Sequence, residues 1–140
     1  MEVPPYDEWE KQVPLEIQND PIWGLRAYRT ALWFGQVVHE DARALSEIPI
    51  DVKIAQQLAE AGGAISADLS EGYGRSSPRE RAHFYEYAVG SAREARSWYM
   101  DVAHDLPAPT LAARLSTLTA LIRIITALIN HTRRKRRRDP

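Results

Sequence analysis

Residues 77–102 read SPRERAHFYEYAVGSAREARSWYMDV, and this stretch carries the clearest helical signal in the chain. Ser77 can cap a helix with its hydroxyl, Pro78 fits the first turn, and Glu80 completes a capping box. Beyond the cap, Phe84, Ala88, Ser91, Ala95, Trp98 and Val102 follow one another at alternating steps of four and three. That spacing is the narrow seam of helices packed at shallow crossing angles. No period-two alternation competes with it, so strands are not expected.

The same spacing recurs on either side. Leu25, Tyr28, Leu32, Gly35, His39 and Ala42 form one stripe; Ile54, Leu58, Ala61, Ile65 and Leu69 form a second; Leu111, Leu115, Leu118, Ile122, Ile125 and Ile129 form a third. Pro21, Pro49, Pro78, Pro107 and Pro109 fall between these stretches, where proline does not break a helix. Four helices are predicted, over about 21–45, 51–71, 78–105 and 110–132. Short connections favour antiparallel neighbours, so the expected fold is all-α, an up-down-up-down four-helix bundle.

The last predicted helix carries more apolar surface than one bundle core needs. Its stripe widens into Leu121, Ile124 and Leu128, then into Ala113, Ala120 and Ala127, and the first helix adds Trp33 and Val37 on its polar side. A helix apolar around most of its circumference is buried on more than one side. A homo-oligomer is therefore expected, with Trp33, Val37, Leu121, Ile124 and Leu128 as candidate interface residues.

Charge is segregated along the 140 residues, although 18 Lys and Arg nearly balance 19 Asp and Glu. Residues 1–20 form an acidic leader with six acids (Glu2, Asp7, Glu8, Glu10, Glu16, Asp20) and one base, Lys11. Residues 21–132 are balanced, and residues 133–140 form a basic tail with six cations and Asp139. The chain has no cysteine, which excludes disulfide scaffolds, thiolate zinc sites and thiol nucleophiles. No hydrophobic signal region opens it, and Arg114 and Arg123 interrupt the most apolar run, so a cytoplasmic protein with no membrane partner is expected.

Enzymatic chemistry finds little support. Glu80 with His83, and Asp101 with His104, have the Glu-x-x-His spacing of dinuclear metal bundles, but one helix would hold them about 31 Å apart. No metal site and no cofactor are expected. His39 borders an apolar stripe and His131 borders the tail; neither has a catalytic partner at a readable spacing, and neither a nucleophile elbow nor a P-loop is present. The corner Glu71-Gly-Tyr-Gly-Arg-Ser-Ser77 is richer. Gly72 suits a left-handed helix end and Gly74 a second tight turn. Ser77 and the first-turn amides could hold an anion beside Arg75. The structural alternative, Arg75 paired with Glu71 or Asp68, is the favoured one, because Pro78 removes one amide and Glu80 competes for the others. Glu80, Tyr87, Glu94 and Asp101 make a stripe that either selects a partner helix or is a solvated edge.

The run Arg133, Arg134, Lys135, Arg136, Arg137, Arg138 is the strongest partner signal. Six consecutive cations cannot enter a core, and the run is expected to stay disordered without an anionic surface. Arginine forks engage phosphates and each contact releases counterions, so RNA or DNA is one candidate partner. A solubilising tail, or one paired with a neighbour's acidic leader, is the other reading. The tail holds no aromatic, so it offers no base stacking.

Ile65-Ser-Ala-Asp-Leu-Ser-Glu-Gly-Tyr-Gly-Arg75, followed by Ser77-Pro-Arg-Glu80, Phe84 and Gly90-Ser-Ala-Arg-Glu94, resembles the bacterial four-helix bundle proteins named after intervening sequences of large-subunit ribosomal RNA. The resemblance covers about 22–130 and rests on Asp68, Glu71, Gly72, Gly74, Arg75, Ser77, Glu80 and Glu94. It implies a bundle that assembles as a homopentamer without catalytic activity. It also implies a relation in fold to accessory variability proteins of diversity-generating retroelements, which bind a reverse transcriptase and nucleic acid. Ser66 and Asp68 stand where that family prefers proline and asparagine. Ala59 and Glu60 replace its usual basic pair, which moves any nucleic-acid contact from the body to the tail, with Arg75 as the body's candidate. The functional expectation is a non-enzymatic oligomeric adaptor or scaffold. It would bind RNA or DNA through its tail, in association with an rRNA intervening sequence or a reverse transcriptase; the alternative is a protein-only scaffold.

Overall fold

The computed structural model describes residues 2–138, and all regular structure among them is helical. Two short helices, α1 (Tyr6–Gln12) and α2 (Leu15–Gln18), precede four long ones: α3 (Arg26–Leu45), α4 (Val52–Tyr73), α5 (Pro78–Asp101) and α6 (Ala108–Arg138). The prolines set these boundaries in two ways. Pro21 and Pro49 open 3-10 turns, Pro21–Gly24 and Pro49–Asp51, so α3 and α4 start a few residues later than their prolines. Asp20 accepts the Ile22 amide at 3.0 Å to hold the first turn. Pro78 and Pro109 instead lie in the first turns of α5 and α6, where a missing N–H costs nothing. Ser77 Oγ accepts the Glu80 amide at 3.1 Å, the predicted cap of α5. A 3-10 turn, Ala103–Asp105, ends α5 short of the predicted limit.

α3 packs along α4, α4 along α5 and α5 along α6, while α3 and α6 touch over a short stretch. The pairings run antiparallel: Ser91 Oγ of α5 donates to Asp68 of α4 at 3.3 Å, and Arg133 near the end of α6 pairs with Glu86 near the start of α5. Two glycines make close approach possible. A Cβ on Gly62 would meet Val38 Cγ1 of α3 at 2.6 Å, and one on Gly72 would meet Phe84 and Tyr85 of α5 at 2.9 Å. Gly72 is thus needed for packing within α4. The left-handed ends expected at Gly72 and Gly74 do not form: none of the described residues has positive φ, and Gly74 caps α4 in right-handed geometry.

The buried face of α5 is Tyr85, Ala88, Ala92, Ala95, Tyr99 and Val102, one position round from much of the predicted seam. Alanines let α4 and α6 close on α5, while Trp98 stays at the flank and donates to Glu94 at 3.2 Å. In α3 the core face is Ala27, Ala31, Phe34, Val38 and Leu45, and His39 is exposed. The predicted stripe differs because α3 has two apolar contacts, one to the other long helices and one to the leader. Trp9 and Val13 of the leader are buried, Trp9 Nε1 donates to Gln36 Oε1 at 3.1 Å, and Trp33 Nε1 donates to the Pro4 carbonyl at 2.9 Å. Tyr6 meets the Trp33 ring edge-on with centroids 5.9 Å apart. The acidic leader is a strap laid on α3.

Within α6, Ala108–Lys135 is long and apolar enough by length and composition to cross a membrane, and 28% of its most apolar window is buried in the chain. Leu118, Leu121, Ile125 and Ile129 face the core, and Arg114 reaches Asp41 of α3. The alanine face, Ala113, Ala120 and Ala127, is exposed.

Candidate nucleic-acid interface

Antiparallel packing of α5 and α6 returns the basic end of α6 to the Glu71–Ser77 corner. There a groove of about 700 Å³ is lined by Arg75, Ser77, Arg79, Glu80, His83, Phe84, Glu86 and Arg133. Three guanidiniums and an imidazole thus face one cleft with two carboxylates. Side-chain contacts tie the corner: Arg75 Nη2 donates to Glu71 Oε1 at 2.6 Å, the Arg75 guanidinium lies 4.7 Å over the Phe84 ring, and Arg81 Nε donates to the Arg75 carbonyl at 2.6 Å. The favoured pairing of Arg75 with Glu71 is the one observed. Arg75 therefore has a structural role while still lining the groove.

The tail differs from the expected disordered run. α6 remains helical through Arg138. Thr132 is buried, its hydroxyl donates to the Leu128 carbonyl at 2.8 Å, and Arg133 is anchored by Glu86. From that anchored turn, arginine and lysine propagate a helix well, and their charge complements its negative C-terminal end. Arg134 and Lys135 are exposed just beyond the groove. The side chains of Arg136, Arg137 and Arg138 lie outside the described residues.

Two further motif residues make hydrogen bonds, Asp68 between helices and Glu94 within α5. Asp68 accepts Ser91, joining the two halves of the corner motif, and Glu94 accepts Trp98. Burial raises the Asp68 pKa above the usual carboxylate range; the Ser91 hydrogen bond opposes this and the Glu71 charge adds to it. Of the candidate interface residues, Leu121 and Val37 are buried within the chain, and the leader covers Trp33. Ile124 and Leu128 are half-buried beside the exposed alanines. Among the described residues no group of three or more His, Asp or Glu could hold a metal.

Two groups take roles in the structure that the sequence did not point to. Asp41 of α3, 8% exposed, accepts Tyr99 Oη at 2.6 Å and both Arg114 Nε at 2.7 Å and Nη2 at 3.2 Å. Burial first, then the Asp41 charge, pushes the Tyr99 phenol far up. Burial alone would lower the Arg114 pKa, but the Asp41 hydrogen bonds and charge outweigh it and leave it raised. This is a structural clamp joining α3, α5 and α6. The second group is Arg79, His83 and Tyr87 around the groove. Only the predicted antiparallel order of the last two helices foretold that the tail would meet them.

A family model described as 23S rRNA-intervening sequence protein matches residues 24–131. No curated protein and no solved structure matches the chain. The match begins after the strap and ends just before the basic run, taking in the four long helices and the corner. The chain belongs to the 23S rRNA-intervening sequence protein family.

Proposed function

We propose that the chain is a non-enzymatic, cytoplasmic adaptor, a four-helix bundle that assembles as a homo-oligomer, a pentamer by family resemblance. In this reading it holds RNA or DNA by the phosphate backbone. The observation that carries it is the groove: Arg75, Arg79 and Arg133 gather at the end where α6 presents Arg134 and Lys135. Arginine forks bind phosphates bidentately, and several copies on one assembly raise the effective concentration of each contact. The apolar helix α6, with its exposed alanine face, supports self-association.

The test is a salt titration of oligonucleotide binding. The affinity should fall steeply as salt rises, with a log–log slope of about −0.7 per phosphate contact on a single strand. Deleting residues 133–138 should weaken binding and flatten that slope. Retention of a protein partner, with no oligonucleotide binding by the full chain, would favour the protein-only scaffold instead.

A further inference from the structure

We propose that the groove takes single-stranded rather than duplex nucleic acid, because an aromatic shelf of His83 and Tyr87 stands beside its arginines. This rests on the nucleic-acid reading above and narrows it. His83 and Tyr87 lie one turn apart on α5, both exposed, with ring centroids 4.6 Å apart. Tyr87 is 51% exposed, a large surface for an aromatic ring to leave in water. Its inner neighbour Phe84 sits 5.8 Å away, beneath the Arg75 guanidinium. The rings meet edge to face, His83 against Tyr87 at 64° and Phe84 against Tyr87 at 77°, so Phe84 buttresses Tyr87 from the corner side and leaves its outer face open to a base.

The charge pattern points the same way. Non-specific duplex binding depends almost entirely on cations meeting phosphates. In this groove Glu80 and Glu86 dilute the three arginines, and Glu71 and Glu86 already pair with two of them. Phosphate contact alone is weak here. An unpaired base adds a π face that can stack on an aromatic ring whatever its sequence, about 1–3 kcal/mol per base. A duplex hides those faces. The cleft, about 700 Å³, is also on the scale of a small-ligand pocket and holds unpaired nucleotides, not a double helix.

The experiment compares a fluorescein-labelled single-stranded RNA of ~12 nucleotides with the same strand annealed to its complement, by anisotropy at fixed salt. The full chain should bind the single strand about tenfold or more tightly than the duplex. Tyr87→Ala should weaken the single strand by about tenfold or more and leave the duplex unchanged; Tyr87→Phe should bind like the natural chain. Arg79→Ala should weaken both. Tyr87 is exposed, so circular dichroism of its variants should match the parent. Equal affinity for strand and duplex, or an equal loss of both in Tyr87→Ala, overturns this inference while the nucleic-acid reading stands. Binding of neither overturns both.

Discussion

A methyl group added at Gly62 would meet Val38 Cγ1 at 2.6 Å and Cβ at 2.8 Å, whereas one added at the adjacent Gly63 would enter open space. The two sites share a helix, so they share the intrinsic gain from replacing glycine. Gly63→Ala should stabilise by about 1 kcal/mol through helix propensity. At Gly62→Ala the overpacking cost, about 1–3 kcal/mol, opposes that gain, and net destabilisation is expected. Urea midpoints of the two variants should move in opposite directions. Asp51 offers a pH test. It is 6% exposed at the start of α4. A hydrogen bond with Asp105, then burial, then repulsion from Asp105 raise its pKa above the ordinary 3.8. A raised carboxylate pKa stabilises the fold below the unfolded value, and that contribution is lost as pH rises through the folded value. Asp51→Asn should therefore unfold at a higher temperature than the natural chain near neutral pH, and the difference should close in acid below about pH 3.8.

At the scale of elements, the legible features were those that punctuation and capping specify. Ser77, Pro78 and the proline spacing located α3 to α6 to within a few residues. Helix faces were harder. α5 buries Ala88, Ala92 and Ala95, and small residues leave little apolar signal even where packing is tightest. Phe84 and Trp98 drew the predicted seam toward themselves, yet each satisfies a flank role, one under Arg75 and the other donating to Glu94. The strap was illegible because its charge dominates its composition while three of its contacts are single aromatic or backbone groups. Its anchoring can be tested at Trp9. Removing a buried tryptophan costs about 3–5 kcal/mol in a core, but a strap can lose no more than its own docking free energy. Trp9→Ala should make residues 2–20 sensitive to protease while the main unfolding transition stays nearly in place. A matching fall in the main transition would show instead that strap and core unfold together.

For the whole molecule, the open question posed by the fold is what covers α6. Its inner face is filled, and the half-buried Ile124 and Leu128 border a column of exposed alanines. Small residues permit close approach of another helix, and a charge among them would prevent it. Light scattering of the natural chain should give a mass several times 15.9 kDa. Ala120→Arg should lower that mass toward one chain while circular dichroism keeps its helical signal. The groove was only partly readable at this scale: Arg75 and the tail were visible as cations, but their meeting depends on the antiparallel return of α6. That return also changes what the basic run is. Since the backbone of α6 stays helical through Arg138, the six basic positions advance by about 100° each around an axis. They form a spindle, and no flat polyanion can lie against all six positions at once. Under the proposed function, a strand held along one side of this spindle should therefore displace fewer counterions than a count of six cations implies.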